Sequence, residues 1–166
     1  MKNGLIILIV CIVVQGCRPW GEDDDIVQFP NNYKPVIMKR TDFEASIAYE
    51  SVKQIKNSGK IYVKGKYIFV NEVNKGFHII DNSDPSNPNN IGFIRVLGSS
   101  DLSIKSDVFY VNNATDLLAF KLNEGSQSLT ISKRLENVFP QIWSPEGLTY
   151  YDLQDDEIIV DWIPIN

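Results

Sequence analysis

When the sequence is slid along itself by 41 positions, Lys64, Val70 and Asn71 fall on identical residues at Lys105, Val111 and Asn112. Ile61, Val63, Ile68, Phe69, Phe77 and Ile79 fall on Leu102, Ile104, Phe109, Tyr110, Leu118 and Phe120, so the apolar positions coincide throughout. Within the first copy, the short apolar runs 61–63, 67–70 and 77–80 are separated by Lys64-Gly65-Lys66 and by residues 71–76. A fourth run, 91–97, follows a segment rich in Asn, Ser, Asp and Pro. Short apolar runs bounded by turn residues are the pattern of an antiparallel meander. The second copy predicts strands near 101–105, 108–112, 117–122 and 127–135. Four strands per unit and a period in the low forties point to β-propeller blades. The expected fold class is therefore all-β: two four-stranded propeller-type blades, about 60–97 and 101–135, with one short N-terminal helix. A closed propeller takes at least about four blades, so the propeller is expected to be incomplete or open.

The first sixteen residues do not fit this pattern. Lys2 precedes an apolar run, Gly4–Val14, that stops at Gln15-Gly16-Cys17. A bilayer-spanning helix needs about 20 apolar residues, and a small residue before a cut fits secretory processing, so residues 1–16 are expected to be a signal peptide. Val14-Gln15-Gly16-Cys17 resembles a bacterial lipobox, with Val and Gln at two positions where other residues are usual. That resemblance implies an acylated Cys17 that anchors the chain to a membrane. Cys11 would leave with the signal peptide, and the mature chain would have neither a free thiol nor an internal disulfide. Lys2 is the only charged residue in that segment, so its removal takes the formal net charge from −5 to −6. An acidic domain is a poor match for nucleic-acid phosphates.

Residues 17–35 contain Arg18-Pro19-Trp20-Gly21-Glu22-Asp23-Asp24-Asp25 and are expected to be an acidic tether to a domain at 36–166. The acidic cluster close behind the cysteine resembles the surface-export signal of Bacteroidetes lipoproteins, which implies an outer-membrane protein facing the cell exterior. Four consecutive carboxylates on a polar chain are not preorganised for a cation.

In the domain, Pro30 and Pro35 predict that residues 26–38 run extended along a surface rather than pair centrally. Thr41-Asp42-Phe43-Glu44 has the form of a capping box, and Phe43 and Ile47 share a helical face. A two-turn helix is expected at about 42–49, with Ser51–Ile55 as an edge strand. At the carboxyl end, Leu148–Leu153 and Glu157–Ile163 are expected to cover the blades. Trp143, Tyr150, Tyr151 and Trp162 would close the core, because aromatic side chains bury large areas.

The stretch Gly76-Phe77-His78-Ile79-Ile80-Asp81-Asn82-Ser83-Asp84-Pro85-Ser86-Asn87-Pro88 resembles the core of the LVIVD repeat, in which a Gly-led strand ending in Ile-Val-Asp precedes Ser-x-Pro-x-x-Pro. Tyr33-Lys34-Pro35-Val36 through Pro140 is similar to the amino-terminal part of LVIVD-containing lipoproteins of the Bacteroidetes. The resemblance implies a propeller-like, membrane-anchored surface protein and carries over no catalytic residue, ligand residue or cofactor.

Chemistry-bearing residues are sparse. His78, the single histidine, alternates with Phe77 and Ile79 and is expected to be a partly exposed structural residue, with no second histidine to share a metal. Nucleophile elbow, phosphate loop and paired zinc ligands are missing from the sequence. Asp81-Asn82-Ser83-Asp84 lacks the Gly and the distant Glu of a calcium loop, and is expected to be a turn held by Asx bonds. The sequence thus predicts a binding or scaffolding module rather than an enzyme, with a protein or glycan partner. The glycan alternative, an accessory protein of nutrient uptake, would use Trp143, Tyr150, Tyr151 and Trp162 as a stacking platform.

Overall fold

The computed structural model describes residues 32–123 and 127–165. The signal peptide, Cys17 and the acidic cluster 22–25 lie outside the described residues.

Three antiparallel sheets make up the domain. The first copy of the repeat gives β3 (Ser58–Lys64), β4 (Tyr67–Glu72), β5 (Gly76–Asp81) and β6 (Asn89–Arg95). A fifth strand, β2 (Ala48–Glu50), pairs with β6, so the order in this sheet is β2-β6-β5-β4-β3. The second copy gives β7 (Leu102–Lys105), β8 (Val108–Asn113), β9 (Asp116–Asn123) and β10 (Ser128–Leu135), in the order β10-β9-β8-β7. The third sheet pairs β1 (Tyr33–Lys39) with β11 (Glu157–Pro164), and Pro35 lies opposite Trp162. With only two strands, both are edges, and an edge tolerates a proline that has no N–H to give. β1 starts at Tyr33, inside the stretch expected to be tether.

The repeat units emerged where their turns placed them. Gly65 and Ser106 hold the same left-handed position in two equivalent two-residue turns, with φ of 57° and 53°. The four pairs nearest the β3–β4 turn recur 41 positions later, from Ile61↔Val70 and Leu102↔Val111 to Lys64↔Tyr67 and Lys105↔Val108. The Asx turn also forms: Asp81 Oδ1 accepts the Ser83 amide at 2.9 Å, and Asp84 Oδ1 accepts that of Ser86 at 3.0 Å.

The two large sheets share one hydrophobic core. Phe69, Phe77, Ile79, Ile94 and Val96 from the first meet Leu102, Phe109, Val111, Leu118 and Phe120 from the second. Phe69 and Phe109 meet edge to face at 5.1 Å, and Phe109 stacks on Phe120 at 5.3 Å. Sheet contacts continue at the rim, where Tyr62 donates to Asp101 Oδ1 at 2.5 Å and accepts the Leu102 amide at 3.1 Å. Burial and then Asp101 push the Tyr62 phenol up to about 12, so it stays a donor. Equivalent hairpins do not, however, present equivalent faces. Ile61 and Val63 are 65% and 69% exposed, whereas their counterparts Leu102 and Ile104 face the core.

A second cluster lies at the end of the stack that carries the β4–β5 and β8–β9 turns. Phe43, Ala114, Ile158 and Val160 pack there with Val36, Met38 and Ile142. Asn74 and Lys75 in the β4–β5 turn bond Asp161 of β11 at 2.8 and 2.5 Å. The β1–β11 ribbon therefore caps that end.

Four local expectations are corrected. The helix, α1, is Arg40–Ala45, and Thr41 and Glu44 form no capping box. β1 runs directly into it, and the first of the helix's free amides, that of Arg40, is taken by the Asp156 carbonyl at 2.8 Å rather than by a side chain. Ser46 Oγ bonds the Phe43 carbonyl at 2.6 Å and ends the helix four residues early. Ser51–Ile55 is not a strand; the edge strand is β2, and the following segment surrenders the amides of Lys56 and Asn57 to Glu72 instead. Of the four aromatics expected to close the core only Trp162 is buried. His78 is wholly buried rather than partly exposed, because Glu72 reaches across the hairpin to its Nε2 at 3.0 Å and Phe93 packs on the ring.

Candidate functional site

Opposite the capped end, the two sheets diverge into a cleft of about 680 Å³. It lies where the β3–β4 and β7–β8 turns come together with the end of β9 and the start of β10. Its walls are Tyr49, Tyr67, Phe69 and Phe109, and its rim carries Lys64, Lys66, Lys121 and Asp107. Each side chain is there for a local reason. Tyr49, on β2, lies over Gly92, where a Cβ would overlap its hydroxyl, and donates to the Ile91 carbonyl at 3.3 Å. Lys64 and Lys66 flank Gly65, whose left-handed backbone folds the turn tightly enough to bring both ammonium groups to the same rim.

The lysines are held against the aromatic walls. Lys64 lies over the Phe109 ring at 5.3 Å and pairs with Asp107 at 3.0 Å; Lys66 lies over Tyr67 at 5.0 Å and approaches Asp81 at 3.9 Å. The Lys64 hydrogen bond holds the Asp107 carboxyl below its ordinary range. Burial, followed by the Tyr67 hydroxyl, raises the Tyr49 phenol. The site thus offers flat apolar faces beside fixed positive charge. Among the described lining residues the carboxylate, Asp107, is ionised and already paired with Lys64, so the arrangement suits holding a ligand.

Two clusters of buried titratable groups elsewhere have structural partners. Glu72 accepts the Lys56 and Asn57 amides at 3.0 and 2.7 Å as well as His78. Burial pushes its carboxyl up, but the Lys56 amide, His78 and the Asn57 amide together hold it below the ordinary value. This pair clamps residues 51–57 onto the first sheet. Asp116, fully buried, receives Arg40 at 2.9 Å, Arg134 at 2.7 Å and the Asn137 amide at 3.1 Å. Those bonds join α1, β9, β10 and the exit of the second sheet. Among the described residues no group of three His, Cys, Asp or Glu side chains is arranged to hold a metal ion.

The aromatics expected to bind a glycan do not converge. Trp143 is 60% exposed and shares a recess with Tyr33 and Trp162, while Tyr150 and Tyr151 line another beside Arg40 and Glu136. Trp162 donates its indole N–H to the Ile142 carbonyl at 2.9 Å and serves the capping cluster. Tyr151 is 91% exposed. Sequence reading passed over the cleft because its residues come from β2, two different turns and β9. The only local sign was a pair of lysines around a turn glycine followed by an aromatic run.

Residues 56–95 match the LVIVD repeat, a repeat family associated with β-propeller-like folds. The matched residues contain β3 to β6 entire. Comparison with curated proteins and with solved structures finds no match.

Proposed function

We propose that this chain, with an LVIVD repeat in its first large sheet, is a membrane-anchored binding module of propeller-type blades that holds an anionic ligand in the cleft between them. The blade reading is supported by the hairpin faces. Superposed at 41 residues, β3–β4 turns Tyr62 and Phe69 to the shared core, while β7–β8 turns Leu102, Ile104, Phe109 and Val111, the counterparts of Ile61, Val63, Ile68 and Val70. The front of one unit meets the back of the next. Blades repeated around an axis stack this way, whereas two sheets facing each other as a sandwich of equivalent faces would bury matching positions. The β8–β9 turn is one residue shorter than β4–β5, with Asn113 opposite Asp116 against Glu72 opposite Gly76. That single residue keeps Leu118 and Phe120 on the same side as Phe109.

The observation that carries the binding role is the lysine-rimmed aromatic cleft at the uncapped end. Stacking and cation placement together favour a ligand that presents a flat apolar face next to a carboxylate or similar anion. Uronate-containing oligosaccharides combine the two and are the natural probe. Titrated into labelled protein, they are expected to shift the resonances of Tyr49, Tyr67 and Lys64, with neutral oligosaccharides weaker. Lys64→Ala with Lys66→Ala should weaken binding about tenfold or more, the loss of one or two charge-assisted contacts. Absence of any shift across acidic and neutral probes would remove the cleft as a binding site.

The anchoring half of the proposal is supported by the sequence alone. Acylation at Cys17 would hold the domain at the outer membrane, and Glu22–Asp25 would carry it to the exterior. Cys17→Ser is expected to move the protein from the membrane fraction to the soluble one, and unchanged fractionation would overturn the anchor.

A further inference from the structure

The stack leaves two large-sheet faces turned outward, and they are the counterparts of the two faces joined inside it. On the first sheet, the outward face of β3 shows Ile61 and Val63, at 65% and 69% exposure. They correspond to Leu102 and Ile104, which are packed in the internal junction. The clamped segment 51–57 covers the His78 and Phe93 half of that face, with Lys53 over the Phe93 ring, and leaves the β3 half open. Val52 and Ile55 of that segment are exposed as well.

On the second sheet, the outward face shows Ser103, Tyr110 and Leu117. Ser103 and Tyr110 correspond to Tyr62 and Phe69, which form the other half of the internal junction. Tyr110 and Leu117 line, with Phe139 and Pro140, a recess of about 650 Å³. One outer face therefore projects two branched apolar side chains, and the other is hollow and aromatic. The first repeats, in chemistry and register, the Leu102 and Ile104 half of an interface this chain already makes with itself, and the second repeats the register of the other half, with Tyr110 for Phe69 and Ser103 for Tyr62.

We infer that a second copy of this chain docks on these faces, Ile61 and Val63 of one copy entering the recess beside Tyr110 of the other. The contact is heterologous, joining two different patches, so it closes only if the rotation between copies brings the remaining pair together. Two copies place four large sheets in series, the smallest number with which propellers close. A closed pair with both junctions made twice is the assembly this predicts. The inference uses the front-to-back stacking and is independent of what the cleft binds.

The test uses the full chain carrying Cys17→Ser, examined by light scattering and sedimentation over a range of concentrations. The expected result is a species of twice the chain mass at tens of micromolar. Val63→Glu and Tyr110→Glu, each on an exposed position, should separately give monomers with unchanged circular dichroism. Ile61→Lys and Ser103→Arg repeat the test on the same two faces should either fail to fold. Mixing folded Val63→Glu with folded Tyr110→Glu should restore a dimer, because the intact face of each fits the intact face of the other. A monomeric parent chain overturns the inference, as does a dimer that both substitutions leave intact. Folded variants that stay monomeric when mixed also overturn it, since only a heterologous contact can be rescued in this way.

Discussion

Gly76→Ala is expected to abolish cooperative folding of the first large sheet, at a cost of more than about 4 kcal/mol, a size reached by few single substitutions. The backbone at Gly76 has φ of 144°, and a Cβ built there would overlap the carbonyl oxygen of Ile94. That oxygen belongs to β6, the strand hydrogen-bonded to β5, so relief of the overlap requires the two strands to part. Phe77, Ile79 and Ile94, three members of the shared core, would move with them. Gly65→Ala is the control: it is left-handed too, with φ of 57°, but has open space around its Cβ position. It should cost about 1 kcal/mol, the ordinary penalty for a non-glycine residue in that region. Urea unfolding followed by near-ultraviolet circular dichroism separates the two. Similar midpoints for both variants would show that the close approach at Gly76 is not what requires the glycine.

Asp116→Ala is expected to cost about 3–5 kcal/mol, the range for removing one partner of a buried ion pair. It would strip Arg134 of its principal ligand while leaving the guanidinium among Phe43 and the second cluster, with Nη2 already lacking a hydrogen-bond partner. The same residue predicts a pH dependence. Burial pushes the Asp116 carboxyl up, but Arg40, Arg134 and the Asn137 amide outweigh it and hold the folded value below the ordinary one. A depressed folded value means that the stabilisation is fully present above the unfolded value of about 3.9 and is lost as pH falls through the folded value. Acid unfolding of the parent chain should therefore steepen below about pH 4, and the Asp116→Ala chain, less stable throughout, should lack that component. Equal stability of the two chains at neutral pH would count against the network.

The strands of both repeat units were legible because their information is local. Turn residues at Lys64-Gly65-Lys66 and Ser106-Asp107 bound each hairpin, and the apolar runs between them are too short for helices. Which face turned inward was not legible. Ile61-Tyr62-Val63 is apolar at every position, so alternation says nothing about the side, and the answer came from the neighbouring sheet. The helix was legible in kind and wrong in extent, since Ser46 ends it by bonding the Phe43 carbonyl and its first amide is satisfied by Asp156, far along the chain. His78 looked peripheral because its partner, Glu72, meets it only once the β4–β5 hairpin has formed. The cleft was illegible for the same reason on a larger scale. The carboxyl-terminal aromatics misled in the opposite direction: a run rich in Trp and Tyr suggests burial, yet Trp143 and Tyr151 sit between prolines, glycines and acids that keep the segment at the surface.

The β1–β11 ribbon also bears on the order in which the chain can assemble. Each large sheet is built mainly from neighbouring hairpins, so most of its loops are short and close at small entropic cost. The ribbon joins residues such as Lys39 and Asp156, 117 positions apart. It is the pairing with the longest loop to close and the fewest strands to share that cost. During synthesis β1 is made before the other ten described strands and must wait for β11, made after the rest of them, as a bare edge that could pair with the wrong strand. Pro35 in its middle, useless to the finished ribbon's ladder, makes that waiting strand a poor template for other chains.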